Sequence, residues 1–257
     1  MYSLIMASCV AAITFAGGFV GLLLKHKLPE ELTSGGARDM VSSVVGLLTF
    51  LCAVVTGLLV WTAYGVYATQ NTAIQTYAAR ALQADLALAA YGPDASRGRA
   101  SLREDLAKTI DQFWGPRADS DIVSRNYRAA IDNLRSRRAF LESLHPASDE
   151  QKTALAAARD AIEAMGQTRL QMSFALTSPA SFRLLAVVVG WATFLFCGFG
   201  LMSRRNAMSY AALAVASLSV ATTMYLILDL SDPYSGFVQA SNSPIERVIK
   251  DIADPSK

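Results

Sequence analysis

Charged residues are scarce in this chain: they make up 17% of its 257 residues, whereas 53% are hydrophobic. A soluble globular domain carries about 25% charged residues. The shortage excludes a disordered chain and argues against an ordinary soluble enzyme. The formal net charge is +2, from 23 Lys and Arg against 21 Asp and Glu. Because neither sign dominates, the composition does not suggest nucleic acid as a partner.

Cysteine and histidine are also rare. Cys9, Cys52 and Cys197 lie far apart in apolar runs, without metal-ligand spacing, and we interpret them as small buried hydrophobic residues. His26 and His145 are isolated from one another. The sequence also lacks paired catalytic carboxylates, a Ser/His/Asp set and a Gly-rich phosphate loop. We therefore predict that the chain is not an enzyme and that it holds no metal or cofactor.

Four long apolar segments dominate the chain instead. They run from about Leu4 to Leu24, from about Val41 to Tyr67, from Leu184 to Met202 and from Met208 to Leu228. About 20 apolar helical residues cross the hydrocarbon core of a bilayer, and none of the segments alternates with the period of a strand. We predict an all-α, polytopic membrane protein with four transmembrane helices, and with an extramembrane helical bundle inserted between helices 2 and 3.

The segment 70–180 has a different composition, with 14 basic and 13 acidic side chains. Gly and Pro pairs divide it into predicted helices at about 69–91, 98–113, 120–144 and 148–177. Leu82, Leu86 and Ala89 lie on one stripe that we expect to face the bundle core. No breaker interrupts 41–90, so transmembrane helix 2 is expected to continue into the bundle as one rod.

This pattern predicts four regions. Residues 1–69 form a transmembrane hairpin, 70–180 the bundle, 181–230 a second transmembrane hairpin and 231–257 a tail. The tail contains a short amphipathic helix at about 244–252, with Ile245, Val248, Ile249 and Ile252 on one side. We expect this helix to lie either along the membrane surface or on the bundle.

Basic residues in the short loops indicate an orientation. Lys25, Lys27 and Arg38 follow helix 1, and Arg204 and Arg205 follow helix 3. The positive-inside rule puts both loops in the cytoplasm, and therefore puts the bundle 70–180 outside it. Basic residues at 183, 247 and 250 on the other side argue for the reverse placement. We expect a multi-pass membrane protein.

Helix 2 carries a stripe of small and hydroxyl-bearing residues in steps of three and four. Its members are Ser42, Gly46, Thr49, Ala53, Thr56, Val60 and Ala63, of which the first five are the candidates for a pore lining. One interpretation is close helix packing, because small residues let backbones approach and hydroxyls bond across the contact. The other is that the stripe lines a water-filled path, where hydroxyls replace part of an ion's hydration. Gly17, Gly18 and Gly21 form a second close-packing face, on helix 1.

Two carboxylates lie at and beyond the end of helix 4. Asp229 directly follows an apolar run, and Asp232 follows three residues later. Ionisable residues are costly in lipid and face protein or water. They could ring a pore mouth in an oligomer. Alternatively, Asp229 lies at the membrane interface, capped by local backbone or paired with an arginine.

Several short motifs together resemble a known family. They are Leu28-Pro29-Glu30-Glu31, Arg38-Asp39, Gly198-Phe199-Gly200-Leu201, Arg205-Asn206-Ala207, Leu226-Ile227-Leu228-Asp229-Leu230 and Pro233-Tyr234-Ser235-Gly236. In this order they resemble the bacterial four-helix membrane family that carries a bestrophin-like domain. Bestrophins are pentameric anion channels with helices from each subunit around one pore. The resemblance implies a homo-oligomer, with a pentamer as the family's number, and helix 2 lining the path.

The sequence thus leads to two hypotheses of different classes. The first is a homo-oligomeric ion channel, whose partners are further copies of the chain, the lipid bilayer and inorganic ions. The second is a membrane-anchored sensor or scaffold whose helical bundle binds a ligand or a partner protein. Ion conductance in liposomes distinguishes the two.

Overall fold

The computed structural model describes residues 2–27, 35–115, 122–175, 182–203, 205–234 and 236–253. Within these ranges the secondary structure is helical, with no strand. The helices are α1 (Tyr2–Lys27), α2 (Gly35–Tyr91), a 3₁₀ turn (Pro93–Ala95), α3 (Ser96–Trp114), α4 (Ile122–Glu142), α5 (Asp149–Ala175), α6 (Phe182–Met202), α7 (Ala207–Leu230) and α8 (Ser243–Ala253).

Four of these helices are long and apolar enough to cross a membrane: α1, the first part of α2, α6 and α7. They correspond to the four predicted transmembrane helices, and the all-α membrane architecture is confirmed. The expected continuity of helix 2 is also confirmed, because α2 is one unbroken helix of 57 residues.

The chain divides into two compact units. The first comprises 1–65, 179–232 and 236–238, and the second comprises 66–178, 233–235 and 239–257. The first boundary falls inside α2, between Gly65 and Val66. The membrane-type helices therefore belong to the first unit, and the charged helices to the second.

In the first unit, α1 packs closely against α6. A side chain at Gly21 would collide with the backbone carbonyl of Cys197, and one at Gly200 with the carbonyl of Gly18. Gly17 similarly lies against the backbone of Thr193. The predicted glycine face of helix 1 is therefore a close-packing face, because only hydrogen fits between these backbones.

The core of the second unit contains buried side chains from five of its helices. The largest are Ile74, Tyr77 and Leu88 of α2, Leu102, Leu106 and Phe113 of α3, Leu141 of α4, Met165 and Met172 of α5, and Ile245 of α8. The core stripe that we predicted on α2 is only partly right: Leu82 packs against the core, but Leu86 is 61% exposed and Ala89 is exposed. The buried face instead uses Ala78, Ala81 and Ala84, whose small side chains admit the neighbouring helices.

The tail helix α8 packs on the bundle, one of the two expected placements. Ile245, Val248 and Ile252 are buried in the bundle core. Upstream, the indole Nε1 of Trp114 donates to the carbonyl of Ala240 at 2.8 Å, and the Tyr234 hydroxyl donates to Gln70 Oε1 at 2.7 Å. These hydrogen bonds fix the segment that leads into α8.

Candidate ion pathway on helix α2

The membrane-type part of α2 is nearly bare within the isolated chain. Only 6% of its most apolar stretch is buried, against 33% for α1, 39% for α6 and 28% for α7. Val45 is the buried residue of this stretch, and its side chain lies against Gly198 of α6. The remaining surface of the segment is open to lipid, to water or to another protein chain.

The first part of the predicted small-residue stripe lies on this open surface, whereas Val60 is half-buried and Ala63 is buried. Ser42, Gly46, Thr49 and Ala53 are exposed, and Thr56 is half-buried. The Thr49 hydroxyl donates to the carbonyl of Val45 at 2.7 Å, so its oxygen lone pairs remain available to other partners. The structure thus brings the five candidates together on one helix face, and four of them are exposed.

A second open stripe of α2 consists of large apolar side chains. Its members are Val44, Leu47, Leu51, Val54, Leu58 and Trp61. Leu47 and Leu51 are each two residues from Thr49, which at about 100° per residue puts them on the opposite side of the helix. α2 therefore exposes one face of small and polar groups and an opposite face of bulky apolar groups.

Asp229 has a different environment from the one expected of a pore-mouth carboxylate. It is 2% exposed, and it accepts hydrogen bonds from the backbone N–H of Phe237 at 3.1 Å and of Val238 at 2.8 Å. Gly236, at φ +100°, packs directly against its carboxylate. This geometry corresponds to the alternative that we considered, a carboxylate capped by local backbone. Asp232 is half-buried.

The motifs that carry the family resemblance have clear structural roles where they are described. Gly198 and Gly200 let α6 approach Val45 and α1. Asn206 caps the N-terminus of α7, because its side-chain oxygen accepts from the N–H of Ser209 at 2.8 Å. Residues 28–31 and Arg204, and the side chain of Arg38, lie outside the described part of the chain.

The bundle contains buried ion pairs that sequence reasoning missed. Arg137 donates from Nε and Nη2 to Asp105 Oδ2 at 3.2 and 3.0 Å, and both residues are 9% exposed. Arg99 binds the buried Asp85 through two parallel bonds of 2.7 and 2.9 Å. These hydrogen bonds raise the pKa of the Arg99 guanidinium above its ordinary value. No local pattern identifies such pairs, because Arg137 and Asp105 are 32 residues apart.

The described residues contain no group of three or more His, Cys, Asp or Glu side chains that could hold a metal ion. Cys9, Cys52 and Cys197 are free thiols.

The four apolar helices and the inserted bundle define a polytopic α-helical membrane protein. Its sequence matches the family of the bestrophin-like domain over residues 12–245, and the chain belongs to this family. Among solved structures, it is similar to a mutant of a bacterial bestrophin homologue from Klebsiella pneumoniae. The TM-score is 0.63 at 12% sequence identity, over 98% of this chain and 97% of that one. Curated protein sequences give no match.

Family membership confirms the resemblance seen in the sequence motifs. It supports a membrane location and, at the level of the family, an ion channel. It is also in keeping with the expectation that the chain is not an enzyme.

Proposed function

We propose that this protein is a homo-oligomeric ion channel in which the α2 helices of several copies surround the ion path. The observation that carries the proposal is the open surface of α2, of which only 6% is buried in the most apolar stretch. A transmembrane helix with a polar stripe normally turns that stripe towards protein or water. Among the described residues of one chain, the membrane part of α2 has few neighbours, so we propose that further copies of the chain cover its polar stripe.

The small number of membrane helices in one subunit supports oligomerisation, in addition to the exposed surface of α2. A single subunit has four membrane-type helices among its described residues, and α1 packs against both α6 and α7. Cyclic symmetry is the common way in which identical subunits close a ring around an axis. We propose a ring of this kind, with the pentamer of bestrophins as the expected number.

The small-residue stripe is the proposed lining of the path. Hydroxyl groups come from Ser42, Thr49 and Thr56 at successive positions along the helix. Between them, the small side chains of Gly46 and Ala53 leave the path wide enough for an ion. Asp232 is the proposed carboxylate near the mouth. Asp229 stays a candidate by position, but both of its oxygens already accept from loop N–H groups.

Anion conduction is the selectivity that the family suggests. A Thr hydroxyl can donate to an anion if it gives up its bond to the backbone carbonyl, such as the one between Thr49 and Val45. The described part of the stripe carries no charged side chain that would repel chloride. We therefore propose chloride as the first ion to test, with potassium as its counterpart.

We place the protein in the bacterial inner membrane, with the bundle outside the cytoplasm. The support is the contact of Lys25 Nζ with the carbonyl of Ser203 at 2.8 Å. This contact joins the end of α1 to the end of α6, so the two basic loops share one side of the membrane. That shared side is the cytoplasmic one by the positive-inside rule.

The experiment compares Thr49→Leu with Thr62→Leu in liposomes that contain the full chain. Thr62 is an exposed threonine of the same helix with the same type of backbone bond, to Leu58, but it lies roughly opposite Thr49. We expect chloride efflux in the wild type, a large loss in Thr49→Leu and little change in Thr62→Leu. The oligomer mass, measured by native mass spectrometry, should be the same in all three.

Two results would contradict parts of the proposal. If Thr49→Leu dissociates the oligomer, the stripe is a packing face and not the lining. If wild-type liposomes hold both chloride and potassium gradients under every condition tested, the protein is not a channel.

A second candidate function is a membrane-anchored sensor or scaffold. The observation that favours it is the continuity of α2, which runs from the exposed apolar segment to the buried Ile74, Tyr77 and Leu88 of the bundle. Such a helix could transmit binding at the bundle. Affinity purification that recovers only copies of this chain would count against it.

A further inference from the structure

A groove of about 450 Å³ lies between the end of α6 and the first half of α7 in the membrane unit. Its apolar walls come from both helices: Phe196 and Phe199 of α6, and Ala212, Leu213 and Ala216 of α7. Phe199, Ala212 and Ala216 are exposed, so the groove is open along its side. In a bilayer this opening faces lipid or another protein chain.

One end of the groove is polar. Ser203, Asn206 and Ser209 line it there, at the end of α6 and the beginning of α7. The apolar Ala216 lies ten residues after Asn206 along α7, or roughly 15 Å. Helix ends lie near the bilayer surface, and the middle of a membrane helix lies in hydrocarbon. The groove therefore extends from the level of the lipid headgroups into the level of the acyl chains.

Two basic side chains lie beside the polar end. Lys25 Nζ donates to the carbonyl of Ser203 at 2.8 Å, which holds the ammonium group next to a residue that lines the groove. Arg205 is exposed and directly precedes Asn206, and its Nε donates to the hydroxyl of Tyr210 at 3.1 Å. Neither Lys25 nor Arg205 forms an ion pair with a described residue. This end of the groove thus has two positive charges that the described acidic side chains do not neutralise.

We propose that the groove binds an anionic phospholipid, with one acyl chain along the apolar walls and the headgroup phosphate beside Lys25 and Arg205. Basic pockets between membrane helices bind acidic headgroups in this way. A zwitterionic lipid binds less tightly, because its own ammonium group is repelled by the two basic side chains. A soluble phosphate lacks the chain that occupies the apolar part. The site lies on α6 and α7, and the inference does not depend on the channel proposed for α2.

The headgroup is tested by native mass spectrometry of the delipidated full-length protein in detergent. The protein is titrated with phosphatidylglycerol or with phosphatidylcholine of the same acyl chains. We expect phosphatidylglycerol to bind saturably, at one molecule per subunit, and more tightly than phosphatidylcholine. Arg205→Gln should weaken phosphatidylglycerol binding about five-fold, the size expected for one basic residue near an acidic headgroup, and should leave phosphatidylcholine binding unchanged. Lys27→Gln is the matched control, because Lys27 is an exposed cation at the end of α1 that does not line the groove.

A second pair of variants tests the apolar part of the groove. Ala211 and Ala212 are both exposed on α7, but only Ala212 lines the groove. Ala212→Phe should fill part of the groove and reduce phosphatidylglycerol binding, whereas Ala211→Phe adds the same side chain beside the groove and should not. Both positions are exposed, so neither variant overpacks the core of the unit.

Four results would overturn the proposal. Equal affinity for the two lipids, with no effect of Arg205→Gln, would show a groove for the acyl chains of any lipid. An equal loss of binding in Lys27→Gln would show unspecific attraction by surface charge. Unchanged binding in Ala212→Phe would put the lipid at another site. Absence of saturable phosphatidylglycerol binding would mean that the groove is covered by another copy of the chain or stays empty.

Discussion

The carboxylate of Asp229 lies directly against the Cα of Gly236, and the two residues together close the turn after α7. The N–H groups of Phe237 and Val238 point at the carboxylate oxygens, and the backbone of Gly236 has a φ of +100°. A Cβ at position 236 would overlap Asp229 Oδ1. The turn therefore requires glycine for two reasons, its conformation and its lack of a side chain.

Gly236→Ala is expected to destabilise the protein by about 1–3 kcal/mol, the usual range for forcing a side chain into a disfavoured backbone conformation. The displaced carboxylate also loses part of its bonding. The measurement is the melting temperature of the purified protein in nanodiscs. Gly190→Ala is the control, because a side chain there meets no atom within 4 Å and alanine favours helix. Equal melting temperatures for both variants would refute this account of the turn.

Asp229→Ala should also lower the melting temperature, because it leaves the loop N–H groups without their charged acceptor. A hydrogen bond to a charged group is worth about 1.5–3 kcal/mol. Asp232→Ala should cost less stability, since Asp232 is half-buried where Asp229 is 2% exposed. If Asp229→Ala alters conductance but not stability, the pore-mouth role of Asp229 is favoured over the cap.

Close packing of α1 on α6 leads to a third prediction. Gly21→Ala puts a methyl group onto the carbonyl of Cys197, and a rigid backbone cannot yield as a flexible side chain can. We expect the helices to be forced apart and the protein to lose about 1–3 kcal/mol, the usual cost of overpacking. Melting of Gly21→Ala is compared with that of Gly57→Ala, where nothing lies within 4 Å. A Gly21→Ala protein as stable as the wild type would mean that α1 and α6 are farther apart.

Much of this fold could be predicted because the controlling features are local in sequence. The length of the four apolar segments predicted the four membrane helices, and the absence of helix-breaking residues in 41–90 predicted the unbroken α2. The glycines of α1 indicated a close contact, although not its partner, Cys197. The prediction of which face of α2 is buried failed in part, because that depends on the helices that pack against it and not on the local sequence. Leu86 is a better hydrophobe than Ala84, yet Ala84 is buried because the helices approach closely there.

The sequence identifies the small-residue stripe of α2 as a candidate site, but it does not indicate that this stripe is exposed. The spacing of Ser42, Thr49 and Thr56 defines a stripe, and a stripe suits both packing and a water path. Only the structure shows that the described residues of the same chain leave most of it uncovered. The cap on Asp229 was likewise only one of two alternatives, because its partners lie eight and nine residues downstream in a turn.

The buried pair of Arg137 and Asp105 yields a fourth prediction. Arg137→Met should destabilise the protein by about 3–5 kcal/mol, because it leaves Asp105 as an uncompensated buried charge. The double variant Arg137→Met with Asp105→Leu should recover much of the loss. Arg138→Met is the control, since its ion pair with Glu163 is about half exposed on both sides. Melting temperatures of the four proteins form the comparison, and a double variant no better than Arg137→Met would argue against charge burial as the cause.

The placement of α8 on the bundle leads to the last prediction. Ile245 is fully buried in the bundle core, whereas Arg247, two residues on, is exposed. Truncation of a buried isoleucine costs about 2–5 kcal/mol, because the site loses apolar burial and gains a cavity. Ile245→Ala should therefore lower the melting temperature of the full chain clearly, and Arg247→Ala should not. If α8 lay on the membrane surface instead, Ile245→Ala would weaken only lipid contact, and the melting temperature would stay close to that of Arg247→Ala. The comparison thus separates the two placements that the amphipathic pattern alone allowed.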